Sequence, residues 1–560
     1  MAAKLNAKII SSLEKCFHDE ALSDHPRLKK ASMLRNERYS FQLAMQLQDR
    51  TCKDKKEVYL RVKSALAAYL EVKLVREVPS MFPCYGDARR REYLRRTPGL
   101  YPDLLEPLAE GREIPLVPGQ LRSLWFTIEP HVGMPTGEQK IELELLDENS
   151  MLLARETLAL TVIGMDLPTQ GLTFTQWFHC DCLAVYYGAH VFSERHWEII
   201  ETFLRTARRY GMNMVLTPVF TPPLDTAVGA ERPTVQLVDV TVEGGKYRFG
   251  FEKLDRWVHL CLRLGFEQFE ISHFFTQWGA AHAPKIVARV EGRTKRIFGW
   301  ETEAAGEVYA SFLHAFLDAL IPHLKELGID SRCRFHISDE PSEDSLGNYQ
   351  AAKRIVEERL KGYPIMDALS SYEFYRQGVS ECPIPSNDHI EPFLEHSVPH
   401  LWTYYCCGQS NGVSNRFLSM PSVNNRIIGT QFYKYGIEGF LHWGYNFYFS
   451  QLSRHAVNPF LVTDGDYMVP SGDAFSVYPA PDGTAWESLR LVVFHEALQD
   501  QRALELCESL YGRAFVMRLL EGGLRGRITF SSYPRRAAFL LRLRERVNAA
   551  IAARQENAEV

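Results

Sequence analysis

The sequence predicts a multidomain α/β protein: an N-terminal β-sandwich over residues 1–165, a (β/α)8 barrel over 166–480 and a helical segment over 481–560 that packs on the barrel. The first part alternates apolar and polar residues, the period of half-buried strands. The middle part alternates short apolar runs with amphipathic helices, which is typical of a parallel sheet. The last part has apolar residues at helical spacing. A chain of 560 residues is long enough for two to four domains.

The N-terminal part contains four clear strand patterns separated by turn residues. Connectors rich in Gly and Pro, such as 117–120 and 133–137, lie between them, and 167–171 is a plausible domain boundary. We therefore expect a β-sandwich accessory domain. The patterns cover residues 57–63, 69–76, 122–129 and 139–146.

The middle part contains eight strand candidates with helical stretches between most of them. Eight such units suit a closed barrel with its functional groups at the carboxyl ends of the strands. A doubly wound open sheet is the competitor, weakened because no strand is followed by a glycine-rich phosphate loop. The strand candidates are 172–178, 212–219, 266–273, 333–337, 364–370, 400–406, 439–444 and 475–478; the helical stretches include 193–210, 253–264, 304–327 and 345–361.

The C-terminal part shows helical periodicity over 484–506 and 535–553. Several arginines cluster in the second stretch, and we interpret them as a solvated helix face.

The composition argues against a nucleic-acid-binding or membrane-spanning protein and favours a cytoplasmic one. The net charge of −5 argues against a nucleic-acid partner, and no run approaches the roughly 20 apolar residues of a membrane span. The first residues lack the apolar core of a secretory signal. The eleven cysteines are scattered without CxxC spacing, so we expect reduced thiols in a cytoplasmic protein.

The most informative motif is Phe-His-Ile-Ser-Asp-Glu-Pro at 335–341. A strand-like run ends in two adjacent carboxylates, Asp339 and Glu340, and Pro341 stops the strand because it lacks an N–H donor. Neighbouring carboxylates repel, so their proton affinities split into one acid and one anion. Glycosidic bond cleavage uses such a pair.

Aromatic and polar residues follow most of the other predicted strands. Aromatic walls with a few polar groups describe a carbohydrate pocket, because rings cover the C–H faces of a sugar while side chains hold its hydroxyls. Buried core tryptophans and satisfied buried histidines are the alternative interpretation. The candidate substrate-binding residues are Trp177, His179, Asp181, His273, Trp278, Tyr372, Tyr404, Trp443, Asn446 and Asp473.

Metal and cofactor sites are not expected. The run His179-Cys180-Asp181-Cys182 contains ligand types, but alternate strand residues face opposite sides and no second Cys/His cluster stands at zinc spacing. We interpret Cys406-Cys407 as packing residues.

The motif at 336–341, with the segments that follow the other strands, resembles glycoside hydrolase family 123 and the wider set of proteins that share its catalytic domain. The resemblance covers roughly residues 165 to 510. The other segments that carry it are Trp177–Cys182, Thr276–Gly279, His442–Asn446 and Ser471–Asp473, with Val477–Pro479.

The resemblance implies a β-N-acetylgalactosaminidase with substrate-assisted, retaining catalysis. In that scheme the substrate's own 2-acetamido oxygen attacks the anomeric carbon. Asp339 orients and stabilises the acetamido group, and Glu340 protonates the leaving oxygen and later activates water. Adjacent carboxylates suit this scheme, since they do not straddle a sugar as a nucleophile and an acid from different strands do. We expect Glu340 neutral and Asp339 ionised.

Other interpretations stay open. One is a glycosidase of the same fold for another sugar, with a carboxylate nucleophile from a different strand; another is a non-catalytic carbohydrate-binding protein. Which of Asp464, Asp466 and Asp473 contacts the sugar is open, as are the exact sugar, the linkage and the pathway. An intracellular enzyme would meet short imported oligosaccharides. The partner is a carbohydrate, with no nucleic acid or membrane; a homodimer is left open.

Overall fold

The computed structural model describes residues 5–48, 55–340 and 343–559, so Pro341 lies outside the described residues. The chain divides into two compact units. The first comprises Met1–Gln170, Ser410–Tyr435 and Trp486–Val560, and the second comprises Gly171–Gln409 and Gly436–Ala485. None of the helices in the described ranges is long and apolar enough to cross a membrane.

The first unit begins with ten strands in two five-stranded sheets. Their orders are β1-β3-β8-β5-β6 and β2-β10-β9-β4-β7, and every pair is antiparallel except β2 with β10. The strands are β1 (Leu5–Ser11), β2 (Lys30–Leu34), β3 (Tyr39–Leu47), β4 (Lys56–Lys63), β5 (Leu70–Ser80), β6 (Gly99–Pro107), β7 (Ile114–Leu116), β8 (Leu121–Ile128), β9 (Gly137–Leu146) and β10 (Leu152–Ile163).

Both sheets contribute to one apolar core. Phe41 and Phe126 from the first sheet stack with ring centroids 5.0 Å apart, and Leu143 and Leu158 from the second sheet belong to the same cluster. The alternation seen in the sequence thus places one face of each sheet against this core.

Four helices complete the first unit: α8 (Ser422–Tyr435), α9 (Leu489–Tyr511), α10 (Arg513–Glu521) and α11 (Ala537–Glu559). The Ser488 side chain accepts a hydrogen bond from the N–H of Leu491 and so begins α9. The sequence predicted a helix from 484, but residues 485–487 form a strand instead. A buried ion-pair network joins the helices, with Arg426 and Arg544 both bonded to Asp500.

The second unit combines parallel strands with helices. The strands are β11 (Thr173–Gln176), β12 (Met214–Thr217), β13 (Asp239–Glu243), β14 (Lys246–Gly250), β15 (Gln268–Ile271), β16 (Ile286–Val290), β17 (Arg293–Phe298), β18 (Cys333–Phe335), β19 (Met366–Ala368), β20 (Cys382–Ile384), β21 (Trp402–Tyr404), β22 (Gly439–His442) and β23 (Val477–Pro479); β24 (Ala485–Glu487) lies at the unit boundary. The helices are α1 (Cys180–Tyr186), α2 (Glu194–Arg209), α3 (Glu252–Leu264), α4 (Glu307–Glu326), α5 (Leu346–Val356), α6 (Tyr372–Arg376) and α7 (Glu391–Glu395).

Parallel pairing joins these strands in three groups, β12-β15-β18, β19-β20 and β11-β22-β21. Single parallel bridges link Phe335 to Ile365 and Ser386 to Tyr404, between the groups. The predicted parallel α/β architecture is therefore present, and the strands it needs end beside one another.

Two features differ from the expected strands. The strand predicted at 475–478 corresponds to β23, which belongs to a separate two-stranded sheet and not to the parallel series. The parallel series instead gains β20 between β19 and β21, a three-residue strand containing Pro383 that is too short for sequence periodicity to reveal. A second sheet, β14-β13-β16-β17, lies in the connections around α3 and was not predicted.

Candidate active site

A cavity of about 140 Å³ lies where the parallel strands of the second unit end. It includes both predicted catalytic residues and five of the predicted substrate-binding residues. Its lining comprises Trp177, His179, Leu224, Asp225, Gln277, Trp278, Asp339, Glu340, Ala368, Tyr404, Cys406, Cys407, Leu441, Trp443, Phe447, Met468 and Val469.

The two adjacent carboxyl groups face this cavity from the segment after β18. Asp339 is half-buried and Glu340 is exposed. Glu340 has a φ of 43°, in the left-handed region that costs a residue with a Cβ about 1–3 kcal/mol. The Tyr404 hydroxyl donates a 2.8 Å hydrogen bond to Glu340 Oε1, and the Trp278 N–H donates a 2.9 Å bond to the Asp339 carbonyl. The strained turn is thus held from two sides.

The electrostatics of the pair differ from the expectation. Burial, reinforced by the negative charge of Glu340, raises the pKa of Asp339 well above its ordinary value. We expected Asp339 to be the ionised member. Asp339 instead retains a proton more readily than an ordinary aspartate.

A buried cation lies beneath the pair. His336 Nε2 is 2.7 Å from Glu270 Oε1 and His336 Nδ1 is 3.0 Å from Asp367 Oδ1. Burial alone would lower the pKa of His336, but the hydrogen bonds to Asp367 and Glu270 raise it to about 10. With a carboxylate at each nitrogen, His336 is an imidazolium. The Trp177 indole N–H also donates to Glu270 Oε1 at 2.6 Å, which fixes one wall of the cavity.

His273 lies beside this network and is outside the cavity lining. Its ring stacks on His336 at 4.2 Å and meets Trp177 edge-on at 5.3 Å. Burial and the charge of His336 lower the pKa of His273 well below its ordinary value, so it stays neutral.

His273, His336 and Asp367 are the three side chains whose spacing could hold a metal ion among the described residues. Both nitrogens of His336 already face carboxylates, however, and an imidazolium has no lone pair to give to a metal. We therefore interpret the cluster as an ion-pair network.

A second network fixes His179. Arg232 donates to both carboxylate oxygens of Asp181, at 2.7 and 2.8 Å, and to His179 Nδ1 at 3.2 Å. Because Nδ1 must accept from Arg232, Nε2 carries the proton and donates to the Trp443 carbonyl at 2.9 Å. Burial and the charge of Arg232 lower the pKa of His179 to about 4. Asp181 thus acts behind the cavity and is not in its lining.

Trp443 is also held through its indole ring. Its N–H donates a 2.7 Å hydrogen bond to Asp473 Oδ2, and Asp473 Oδ1 lies 3.3 Å from His442 Nε2. Asp473 is fully buried outside the cavity lining and contacts the lining residue Trp443. Asp464 accepts from the N–H of Tyr467, and Asp466 faces His455 at 3.3 Å.

The last two candidates lie elsewhere. Asn446 is fully buried, and its side chain bonds the N–H and the carbonyl of His179, so it shapes the turn after β11. Tyr372 begins α6 and stacks on His396 at 4.5 Å. Neither side chain lines the cavity within the described ranges.

Several lining or supporting residues escaped the sequence analysis. Arg232 and Asp225 come from a long connection without a motif, Gln277 lies in the segment Thr276–Gly279 but was not singled out, and Glu270 lies inside β15. A charged residue within an apolar strand such as Gln268–Ile271 is a signal that could have identified Glu270, because buried charges require partners.

The family comparison agrees with this site. The model described as "Glycoside hydrolase 123, catalytic domain" matches residues 177–507, more than half of the chain. Among curated proteins no match was found.

One solved structure has the same fold along the whole chain. A family 123 glycoside hydrolase from Clostridium perfringens, analysed for the details of glycolipid glycan hydrolysis, superposes with a TM-score of 0.72 at 16% identity, covering 99% of this chain and 98% of that one. A family 5 mannosidase from Rhizomucor miehei has a TM-score of 0.33 at 12% identity, covering 60% of this chain and 99% of its own. The family match, with the fold of the Clostridium enzyme, leads to one conclusion: this chain belongs to glycoside hydrolase family 123 and is a glycoside hydrolase.

Proposed function

We propose that this enzyme is an exo-acting β-N-acetylgalactosaminidase that uses the substrate's 2-acetamido group as nucleophile. The observation that carries the proposal is that Asp339 and Glu340, consecutive in sequence, both face one aromatic cavity. One turn can place one carboxyl at the leaving oxygen and the other at the acetamido arm.

In the proposed first step the acetamido oxygen attacks the anomeric carbon. The bond from that carbon to the leaving oxygen breaks, and Glu340 gives its proton to this oxygen. Asp339 accepts a hydrogen bond from the acetamido N–H and so stabilises the positive charge of the oxazoline. In the second step Glu340 takes a proton from water, and the water oxygen bonds to the anomeric carbon while the bond from that carbon to the acetamido oxygen breaks, with net retention.

The raised pKa of Asp339 fits a pair that shares one proton before substrate binds. An N–H donor at Asp339 favours its ionised form. We propose that this contact shifts the proton to Glu340, where the first step requires it.

The test compares aryl β-glycosides with and without the 2-acetamido group. The proposal expects turnover only of the N-acetylated substrates, with the galacto isomer preferred over the gluco isomer. Equal turnover of the 2-hydroxy glycosides would contradict it. Glycolipid glycans, which the Clostridium enzyme's analysis concerned, belong in the same screen.

A second candidate function rests on Asp225, a carboxylate in the same cavity from the connection after β12. A nucleophilic Asp225 would make the enzyme a retaining glycosidase for a different sugar. Burial raises the pKa of Asp225 to about 6, which weakens it as a nucleophile in mildly acidic solution. Trapping a glycosyl ester on Asp225 with a 2-fluoro glycoside would favour this candidate.

The finer architecture and setting are also proposals. The two sheets of the first unit would make a β-sandwich over residues 1–165, and the eight parallel strands from β11 to β22 would close as a (β/α)8 barrel within 166–480. Ten free cysteines among the described residues support a reducing cytoplasm. A homodimer stays a prediction, which sedimentation would check.

A further inference from the structure

Gln277 carries an unused donor at the cavity. Its side chain is 8% exposed, and its Nε2 has no hydrogen-bond partner among the described residues. Its orientation is fixed, because the amide oxygen accepts a 2.6 Å bond from the N–H of Asp225 and only oxygen can accept there. Among the described residues, the NH2 group of Gln277 is therefore a donor without a partner at the wall of the cavity. A buried donor without a partner costs about 1–3 kcal/mol, so a partner is expected to bind there.

Asp225 supplies an acceptor beside this donor. Its Oδ2 accepts a 3.1 Å bond from the N–H of Leu452, and Oδ1 has no hydrogen-bond partner in the part of the chain that the structure describes. A donor and an acceptor side by side match two neighbouring hydroxyl groups of a sugar, each of which can both give and accept a hydrogen bond.

Trp278, the next residue along the chain, adds an apolar surface. Its side chain is 55% exposed although it lines the cavity. An exposed aromatic ring beside convergent polar groups is suited to the C–H face of a sugar ring.

The exposure of Trp278, which follows Gln277 in the chain, indicates which part of the substrate this group of residues meets. Trp177 and Leu441 line the cavity and are only 2–3% exposed, whereas Glu340 and Trp278 are exposed. The terminal sugar of an exo-acting enzyme occupies the buried end, and its leaving group extends past the acid toward solvent. The hydrogen bond from the Trp278 N–H to the Asp339 carbonyl fixes Trp278 beside that exit.

Three of the residues that line the cavity have a strained backbone. Asp225, Trp278 and Glu340 have φ values of 39°, 58° and 43°. Such conformations persist where the surrounding structure enforces them, and they concentrate at functional sites.

We propose that Gln277, Asp225 and Trp278 form a binding subsite for the leaving group, and that this leaving group is a sugar with two neighbouring hydroxyls facing Gln277 and Asp225. The inference rests on the proposed function and adds the chemical class of the substrate's other half. The enzyme would then be built for oligosaccharides and would gain less from aryl or alkyl glycosides.

The test measures kcat/KM on two substrates, a nitrophenyl β-N-acetylgalactosaminide and a disaccharide in which β-linked N-acetylgalactosamine is joined to a hexose. Gln277→Glu retains the acceptor for Asp225 and removes the donor. Asp225→Asn retains an acceptor for Leu452 and changes the other oxygen. For both variants we expect the ratio of disaccharide to aryl kcat/KM to fall at least about tenfold, because sites built to bond a hydroxyl discriminate strongly when the match is lost.

Two more variants complete the experiment. Trp278→Ala removes the ring from a position that is mostly exposed, and we expect the same ratio to fall. Gln377→Glu makes the same amide-to-acid change at an exposed position of the second unit outside the cavity lining, and we expect its ratio to match the wild type.

Each outcome decides the matter. Equal losses on both substrates in the Gln277 and Asp225 variants would overturn the leaving-group assignment while leaving the proposed function in place. Failure of the wild-type enzyme to hydrolyse either N-acetylated substrate would instead overturn the proposed function, and the subsite with it.

Discussion

Tyr404, at the end of β21, donates a 2.8 Å hydrogen bond to Oε1 of Glu340, which lies 64 positions earlier in the sequence. This hydroxyl is buried, and its pKa is raised well above its ordinary value by burial and by the charge of Glu340, so it remains a donor. Tyr404 therefore orients the proposed acid.

Tyr404→Phe tests this relationship. A hydrogen bond to a neutral carboxyl contributes about 0.5–1.5 kcal/mol, so we expect kcat to fall about 2- to 10-fold with a smaller change in KM. Steady-state kinetics on an aryl N-acetylgalactosaminide measure it. Tyr375→Phe, at a half-buried tyrosine outside the cavity lining, is the matched control. Unchanged kcat in Tyr404→Phe would mean that Glu340 is positioned by other groups.

Glu340→Gln removes the proposed acid. We expect turnover to fall at least ~10²-fold, and to fall further for a poorly acidic leaving group, which depends more on protonation. Comparing a nitrophenyl with an alkyl glycoside measures this dependence. The same loss on both would be inconsistent with an acid role for Glu340.

The pH profile tests the raised pKa of Asp339. The proposed pair is active with one proton, which the substrate contact moves from Asp339 to Glu340, so activity is present below this pKa and is lost as the pH rises through it. Because the pKa is raised, we expect this basic limb of kcat/KM at a clearly higher pH than the ordinary aspartate value of about 3.9. In Asp339→Asn the residual activity should lack this limb. A limb that persists in this variant would assign it to another group.

His336 predicts a pH-dependent stability. Its pKa is raised in the folded protein, so its contribution is complete below the unfolded value of about 6.5 and is lost as the pH rises through about 10. The difference in melting temperature between the wild type and His336→Gln should therefore shrink from pH 6.5 to pH 10. Calorimetry at matched ionic strength measures it, and a constant difference would show that the imidazolium contributes nothing.

Gly439 allows Trp402 to pack against β22. A Cβ at Gly439 would lie 1.9 Å from the Trp402 ring, so Gly439→Ala should destabilise the protein by about 1–3 kcal/mol or more. Gly347→Ala is the control, because α5 leaves that exposed position open and alanine favours a helix by about 0.5–1 kcal/mol. Chemical denaturation compares them. Equal stability of the two variants would contradict the close packing.

The periodicity of apolar residues in the sequence predicted long strands and helices. The strand predicted at 122–129 and the helix predicted at 193–210 are present as β8 and α2, with ends within a few residues of the predicted ones. Both were predictable because alternation and helical spacing reflect which face is buried. The three residues of β20 and the sheet around β13 were missed, since short segments carry no measurable period.

The sequence by itself determined that two acids follow a strand and that aromatic residues follow its neighbours, because both facts are written in consecutive residues. Only the tertiary structure decided which side chains those residues meet. Arg232 is hydrogen-bonded to Asp181, 51 positions away in the sequence, and His336 to Glu270, 66 positions away. These contacts cannot be predicted from the spacing of residues along the chain. They form because the strand order brings separate loops to one end of a sheet, where a buried charge is stable only with a partner.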